Sequence, residues 1–256
     1  MSIANGRPHW LTLDGAVNAR VVVPGTLLRS DNLQSLSAAD LRLLVEEGLS
    51  VVLDLRTDFE VRSEGPGPLT EMESVRIEHH SLYPDSGDRS FAHATRPADS
   101  PFQEDLPGET ATVRAYLSYL DLRPDSLLAA MRAIAQSDGA VLVHCAAGKD
   151  RTGVVVALAL DATGVEKDAI VSDYMASAER ITAILRRLVA SPTYHDEMSG
   201  VDPQRQTPVP ETMERFLEII DQRFGGAAAW LSSQGFSDAH LEALRRRLAP
   251  ASASRG

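Results

Sequence analysis

Residues 140–164, AVLVHCAAGKDRTGVVVALALDATG, combine a short apolar run, a polar turn and a second apolar run. The segment from Ala140 to His144 predicts a strand that is buried on both faces. The segment from Thr152 to Thr163 predicts an apolar helix, which Gly164 ends. The turn between them is therefore expected at the carboxyl end of a parallel strand, where ligand sites form in α/β proteins.

The turn has the composition of a cradle for an oxyanion. A nucleophile and a planar cation, Cys145 and Arg151, stand in it with five residues between them. Free amide N–H groups and the dipole at the start of the following helix favour an anion, and Gly148 permits a tight curve. We predict a phosphate-binding loop made of Ala146, Ala147, Gly148, Lys149, Asp150, Arg151 and Thr152.

The same surroundings predict an activated thiol. A helix N-terminus beside cations lowers the pKa of a cysteine from about 8.5 to roughly 3.5–7.5. We therefore expect Cys145 to attack phosphorus as a thiolate while Arg151 holds two phosphoryl oxygens through its planar fork. Thr152 is expected to donate its hydroxyl to the sulfur, and His144 to orient the loop by hydrogen bonding.

Composition excludes several other classes of protein. The 256 residues are 43% hydrophobic and 24% charged, which is typical of a globular protein with a sizeable core. The formal net charge of -11, without any Lys/Arg-rich run, argues against a nucleic-acid partner. The single cysteine excludes an intramolecular disulfide and a zinc site built on several thiolates. We expect no metal and no organic cofactor.

The chain has no apolar stretch that approaches the length of a membrane span. Residues 1–10 also lack the apolar segment of a secretory signal. We expect a protein without a membrane span that is cytoplasmic, or that is exported by a route without a recognisable signal peptide.

Strand and helix patterns alternate over the first two thirds of the chain. Short strands are predicted at 21–23, 27–28, 51–55, 75–79 and 140–144, and helices at 37–48, 110–122, 125–137 and 152–163. The rest is predicted to be helical, at about 166–190, 210–224, 227–234 and 237–248. This order predicts an α/β fold with a mainly parallel central sheet flanked by helices and a helical C-terminal third. We expect a single domain over 1–256, with a variable loop at 84–109.

The loop and several distant segments resemble one family. His144–Gly153 is similar to the signature of the protein-tyrosine-phosphatase superfamily, Cys followed by five residues and Arg. The run GKDRTG at 148–153 more narrowly resembles bacterial members related to the secreted mycobacterial tyrosine phosphatase B. Further similar segments are Asn18 with Arg20, Leu28-Arg29-Ser30, Asp54-Leu55-Arg56 with Glu60, Gly65-Pro66-Gly67, Asp173-Tyr174 and Pro210 to Leu248. The likeness covers most of the chain outside the variable loop.

The resemblance implies hydrolysis of phosphotyrosine through a cysteinyl-phosphate, with inorganic phosphate as the product. The expected partner is a phosphorylated protein or peptide. Lys149, a second cation beside the phosphate, extends the expectation to phosphoserine and phosphothreonine. A phosphoinositide phosphatase on the same scaffold and a non-catalytic phosphate-binding module stay open as alternatives. In this family, helices similar to those at 166–248 form a lid over the active site.

Two carboxylates are candidates for the general acid, because the leaving oxygen needs a proton. Asp85 follows Pro84 in the variable loop, at a position that resembles that of an acid in the family. Asp150 lies inside the phosphate-binding loop. The sequence favours Asp85 as the acid and Asp150 as a loop residue that activity requires. The structural alternative for Asp85 is that it forms a turn with Pro84, and the alternative for Asp150 is that it braces the loop. Asp54 and Arg56 are candidates for an ion pair that braces the phosphate-binding loop.

Overall fold

The structure is a computed structural model that describes residues 8–84 and 108–249. The strands of these ranges form one six-stranded sheet in the order β1-β2-β3-β6-β4-β5. Their bounds are His9–Trp10 (β1), Arg20–Val23 (β2), Leu27–Ser30 (β3), Leu49–Asp54 (β4), Arg76–His79 (β5) and Ala140–His144 (β6). The strands β3, β6, β4 and β5 pair in parallel, whereas β1, β2 and β3 pair antiparallel. The predicted mainly parallel sheet is confirmed.

Helices account for most of the other described residues. Their bounds are Ala38–Glu46 (α1), Asp58–Glu64 (α2), Ala111–Leu122 (α3), Pro124–Gln136 (α4), Asp150–Asp161 (α5), Lys167–Ala176 (α6), Ile181–Ala190 (α7), His195–Met198 (α8), Pro203–Gln206 (α9), Pro210–Phe224 (α10), Ala227–Ser233 (α11) and Asp238–Leu248 (α12). Short 3-10 turns occur at Pro68–Glu71 and Ser177–Arg180. Within the described ranges, no helix is long and apolar enough to cross a membrane.

The sheet separates two apolar cores, and β6 contributes to both. Because successive strand residues point to opposite faces, Val141 and Val143 pack into the larger core with the helices of the C-terminal half. Ala140 and Leu142 pack into a smaller core beneath α1. A strand that is buried on both faces has no room for polar side chains, which explains the uninterrupted apolar run at this point of the sequence.

Most predicted elements lie within one or two residues of the observed ones. The central helix is shifted by two residues and begins at Asp150 rather than Thr152. The first turn of this helix carries polar residues of the loop, so apolar periodicity could not detect it. The helix predicted at 166–190 is also interrupted, by the 3-10 turn at Ser177–Arg180. There the Ser177 hydroxyl bonds the side chains of Asn18 and Arg20.

Because Val75, Ile77 and His79 alternate with Arg76 and Glu78, the sequence predicts that the strand at 75–79 is half buried, and this prediction is wrong. Val75 is buried but precedes the strand, and Ile77 within it is 39% exposed. Among the strands that the structure describes, β5 pairs with β4 alone and ends the sheet, so alternation there does not mark a face that packs on the core.

Candidate active site

The loop from Cys145 to Lys149 leaves β6, one of the two inner strands of the parallel set, and runs directly into α5. At its sharpest point Gly148 has φ +65°, and a Cβ there would lie 2.3 Å from the carbonyl oxygen of Ser30. Only glycine satisfies both conditions. The curve directs the Gly148 N–H at the Cys145 Sγ, 3.3 Å away. The predicted role of Gly148 in shaping the loop is therefore geometrically explained.

Two buried side chains hold the loop from behind. The Nδ2 of Asn18 donates to the carbonyl oxygens of Ala147 and Gly148, at 3.0 and 3.1 Å. The guanidinium of Arg29 donates to the same Gly148 oxygen at 2.8 Å. These bonds engage the loop's carbonyl oxygens on its outer side, while the Gly148 N–H faces the sulfur.

Asp173 of α6 fixes Arg29 and a second buried arginine, Arg20. Its two carboxylate oxygens accept from Arg20 Nε, at 2.9 Å, and from Arg29. Burial, together with the charge of Arg29, lowers the pKa of Arg20 to about 10. Burial alone would raise the pKa of Asp173, but the two guanidinium groups hold it below its ordinary value. The network ties α6 to the sheet and to the loop. The resemblance singled out these residues without giving them a role.

Arg151 is held by Glu60, a residue whose role sequence reasoning missed. The two guanidinium nitrogens Nη1 and Nη2 donate to the two carboxylate oxygens at 2.6 and 2.9 Å, and both side chains are buried. Burial would raise the pKa of Glu60, but Arg151 lowers it. Glu60 is itself fixed by a capping box with Thr57 at the start of α2. The spacing of Thr57 and Glu60 was the available signal in the sequence.

His144, Asp54 and Arg56 form a second cluster at the ends of β6 and β4. The Arg56 guanidinium donates to Asp54 at 2.6 and 2.9 Å, and the His144 Nε2 lies 3.6 Å from Asp54 Oδ2. Burial outweighs the neighbouring carboxylate and lowers the pKa of His144 to about 4. The imidazole is therefore neutral at pH 7. Asp54 and Arg56 pair with each other and brace the ends of these strands.

Asp150 and Lys149 lie at the mouth of the loop. The Tyr116 hydroxyl donates to Asp150 Oδ1 at 2.5 Å, and the Lys149 ammonium lies 3.5 Å from Asp150 Oδ2. The ammonium also donates to the carbonyl oxygen of Gln206 in α9, at 2.8 Å. The loop is thus linked to the segment that follows α8.

A cleft of about 510 Å³ opens above the loop. Its apolar lining includes four residues of α7, Ile181, Ile184, Leu185 and Leu188. Three tyrosines, Tyr83, Tyr116 and Tyr119, also line it. Further lining residues are Tyr194, Glu197, Met198, Arg205 and Gln206.

The structure brings most of the predicted site residues to this cleft. Cys145, Ala146, Ala147, Lys149, Asp150 and Arg151 line it. Thr152 lies in the first turn of α5, and its buried hydroxyl has no hydrogen-bond partner among the described residues. Asp85 and most of the variable loop lie outside the described residues.

The chain is similar to known proteins over nearly its whole length. Residues 13–250 match the family described as the tyrosine phosphatase family. The chain belongs to the tyrosine phosphatase family. It is 28% identical over 264 residues to the triple specificity protein phosphatase PtpB of Mycobacterium tuberculosis, covering 92% of this chain and 95% of that protein. It is 29% identical over 262 residues to a tyrosine-protein phosphatase of Nostoc commune, covering 97% and 83% respectively.

Family membership confirms the predicted superfamily, the α/β fold and the enzyme class, a protein-tyrosine phosphatase. The predicted likeness to the mycobacterial tyrosine phosphatase B is confirmed as well. This family hydrolyses phosphotyrosine through a cysteine, and the chain is accordingly an enzyme of that reaction class.

The substitution Glu60→Gln should lower both the stability and the catalytic rate of the phosphatase. It removes the carboxylate that pairs with the buried Arg151, and breaking a buried ion pair costs about 3 kcal/mol of unfolding free energy or more. Because small misplacements of a positioned group cost about 100-fold in rate, we expect a loss of that order in kcat/KM. Urea unfolding and turnover of a phosphotyrosine peptide measure the two effects.

The matched control is Glu218→Gln, which removes an exposed carboxylate that also pairs with an arginine, Arg215. It should leave the unfolding midpoint and the turnover at the wild-type values. Equal behaviour of the two variants would contradict an orienting role for Glu60.

The phosphatase should lose stability in mild acid because of His144. An unfolded histidine has a pKa of about 6.5, whereas in the folded chain the pKa of His144 is about 4. The unfolded chain therefore binds more protons between these values, and the free energy of unfolding should rise with pH across this window. The contribution is present in full above about pH 6.5.

Urea unfolding between pH 4 and pH 7.5 measures this dependence. His144→Asn should flatten it, whereas His195→Asn, at an exposed histidine, should leave the slope as in the wild type. Parallel slopes for the wild type and His144→Asn would show that His144 is not the group responsible.

Proposed function

We propose that Cys145 is the nucleophile of this phosphatase and that Arg151 binds the phosphoryl group. The observation that carries the proposal is the Gly148 N–H directed at the Cys145 Sγ, 3.3 Å away, on the floor of the cleft. The family's chemistry needs a cysteine, and Cys145 is the only one in the sequence. The loop amides and the start of α5 supply the dipoles that favour an anion there.

In the first step the Cys145 thiolate attacks phosphorus and the bond from phosphorus to the leaving oxygen breaks. A carboxylic acid, from Asp85 or Asp150, gives its proton to that oxygen and becomes a carboxylate. The products of this step are the free tyrosine hydroxyl and a cysteinyl-phosphate. The Thr152 hydroxyl is buried and has no hydrogen-bond partner among the described residues, which supports its proposed role as a donor to the sulfur.

In the second step water attacks the cysteinyl-phosphate and the sulfur–phosphorus bond breaks. The carboxylate takes a proton from the attacking water, and sulfur leaves as the thiolate. Inorganic phosphate is released, and both side chains return to their starting protonation states. No other reactant is needed.

The shape of the cleft supports phosphotyrosine as the preferred substrate. The apolar side chains of α7 line the cleft, and an apolar lining of this kind suits an aryl ring above the loop. The partner is then a phosphorylated protein or peptide. Lys149 donates to the carbonyl oxygen of Gln206. The ammonium must therefore leave that oxygen before it can contact the phosphate of a phosphoserine or phosphothreonine substrate.

The segment from α7 to α9 is proposed as the lid over the site. Residues of all three helices line the cleft, and the bond from Lys149 to Gln206 connects the segment to the phosphate-binding loop. Movement of this segment would therefore open the cleft and free the lysine together. Such a lid would gate substrate entry.

Replacing the nucleophile tests the proposal directly. Cys145→Ser should abolish turnover of a phosphotyrosine peptide while keeping its binding, because the loop amides and Arg151 are unchanged. Acid quenching of the wild type with ³²P-labelled peptide should trap label on the protein, and the variant should trap none. Turnover by Cys145→Ser, or wild-type protein without trapped label, would overturn the assignment.

Leaving-group dependence decides between the two candidate acids. The true acid contributes about 10²–10⁴ in rate where the leaving oxygen is basic. Its Asn variant should therefore lose kcat/KM on phenyl phosphate and lose far less on 4-nitrophenyl phosphate. Asp85→Asn and Asp150→Asn serve as controls for each other, and a variant that slows neither substrate removes that residue from consideration.

A further inference from the structure

Tyr116 is the buried group that touches the carboxylate in the loop. It lies on α3, and its hydroxyl donates to Asp150 Oδ1 at 2.5 Å. The same hydroxyl oxygen lies 3.0 Å from the hydroxyl of Tyr174 on α6. Since the Tyr116 hydroxyl uses its single hydrogen to donate to the carboxylate, the Tyr174 hydroxyl must be the donor in the second bond. A chain of donors therefore runs from Tyr174 through Tyr116 and ends on Asp150.

The two carboxylate oxygens of Asp150 have different surroundings. Oδ1 is fixed by a buried phenol, whereas Oδ2 lies beside the Lys149 ammonium at 3.5 Å. The Asp150 side chain remains 34% exposed and lines the cleft. The carboxyl group is thus anchored on one side and accessible on the other, which is the arrangement that a proton donor to a bound substrate requires.

We infer that Tyr116 is a positioning residue that presents Asp150 Oδ2 to the leaving oxygen and so makes Asp150 the general acid. The inference rests on the proposed function. Asp150 gives its proton to the leaving oxygen in the first step and takes one from water in the second. Tyr116 keeps its own proton throughout, because burial and the carboxylate raise its pKa well above the ordinary value.

Tyr119 provides a control on the same helix. It is buried like Tyr116, and its hydroxyl bonds the hydroxyl of Tyr83 at 2.7 Å. Tyr119→Phe therefore removes a buried phenol hydroxyl without removing the bond to Asp150. Any general cost of losing such a hydroxyl from α3 should be the same in both variants.

The test compares kcat/KM for phenyl phosphate with that for 4-nitrophenyl phosphate. In Tyr116→Phe the ratio of the two should fall about tenfold, the effect of one hydrogen bond to an ionisable group. In Tyr119→Phe the ratio should match the wild type. In an Asp150→Asn background, adding Tyr116→Phe should not change the ratio further, because the tyrosine acts through that carboxyl.

A second variant keeps the test decisive if Tyr116→Phe does not fold. Tyr174→Phe removes the donor behind Tyr116 without touching Asp150, and should lower the same ratio by a smaller factor. An unchanged ratio in the folded Tyr116 and Tyr174 variants, or an equal fall in Tyr119→Phe, would overturn the inference. So would a further fall when Tyr116→Phe is added to Asp150→Asn.

Cys145→Ser, assayed alongside, distinguishes a failure of the positioning inference from a failure of the proposed function. If it is inactive while Tyr116→Phe behaves like Tyr119→Phe, the positioning inference fails and the proposed function stands. If Cys145→Ser turns over phenyl phosphate, the proposed function itself fails.

Discussion

The geometry of the site depends on the close approach of one backbone to another. Gly148 lies against the end of β3 so closely that a Cβ would meet the Ser30 carbonyl carbon and oxygen within 2.5 Å. Next to it, the N–H of Asn32 donates to the carbonyl oxygen of Ala146 at 3.0 Å. The loop is thus seated on the neighbouring strand, and this contact sets the direction in which its amides point. The positions of Cys145 and of the first turn of α5 follow from it.

Buried ion pairs then fix the side chains around that loop. Desolvation offsets much of the attraction in such pairs, so they add little to stability compared with apolar packing. What they provide here is orientation. Glu60 holds Arg151 through both nitrogens, and Asp173 holds Arg20 and Arg29 behind the loop. Each carboxylate comes from a helix that is distant in the sequence from its arginine partner, so the site is held only when these segments are folded together.

The sequence was sufficient for the features that are local. The apolar run before Cys145, the spacing to Arg151 and the glycine between them predicted the strand, the loop and the helix with an error of two residues at the start of α5. That error arose because the first helical turn is polar and has no apolar period. The burial of Ile77 was predicted wrongly because alternation does not reveal which strand lies at the edge of the sheet.

The contacts between distant segments were beyond sequence reasoning. Glu60 and Tyr116 stand 91 and 34 residues from their partners in the loop, and no periodic pattern connects them. The resemblance marked Glu60 and Asp173 as similar to the family but gave no partner for either. Only the folded chain shows that one orients Arg151 and the other supports the loop from behind.

The charges around the loop explain how a chain with a formal net charge of -11 can bind a dianion. Arg151 is matched by Glu60, Arg29 by Asp173, and Lys149 lies beside Asp150. The cations nearest the loop are therefore largely balanced by carboxylates. In the proposed site, oriented amide N–H groups and the start of α5, whose dipoles act over a short range, therefore add to the attraction of Arg151 for phosphate. A site of this kind selects an oxyanion by the geometry of its donors, and the distant acidic surface has little influence on it because ions in solution screen those charges.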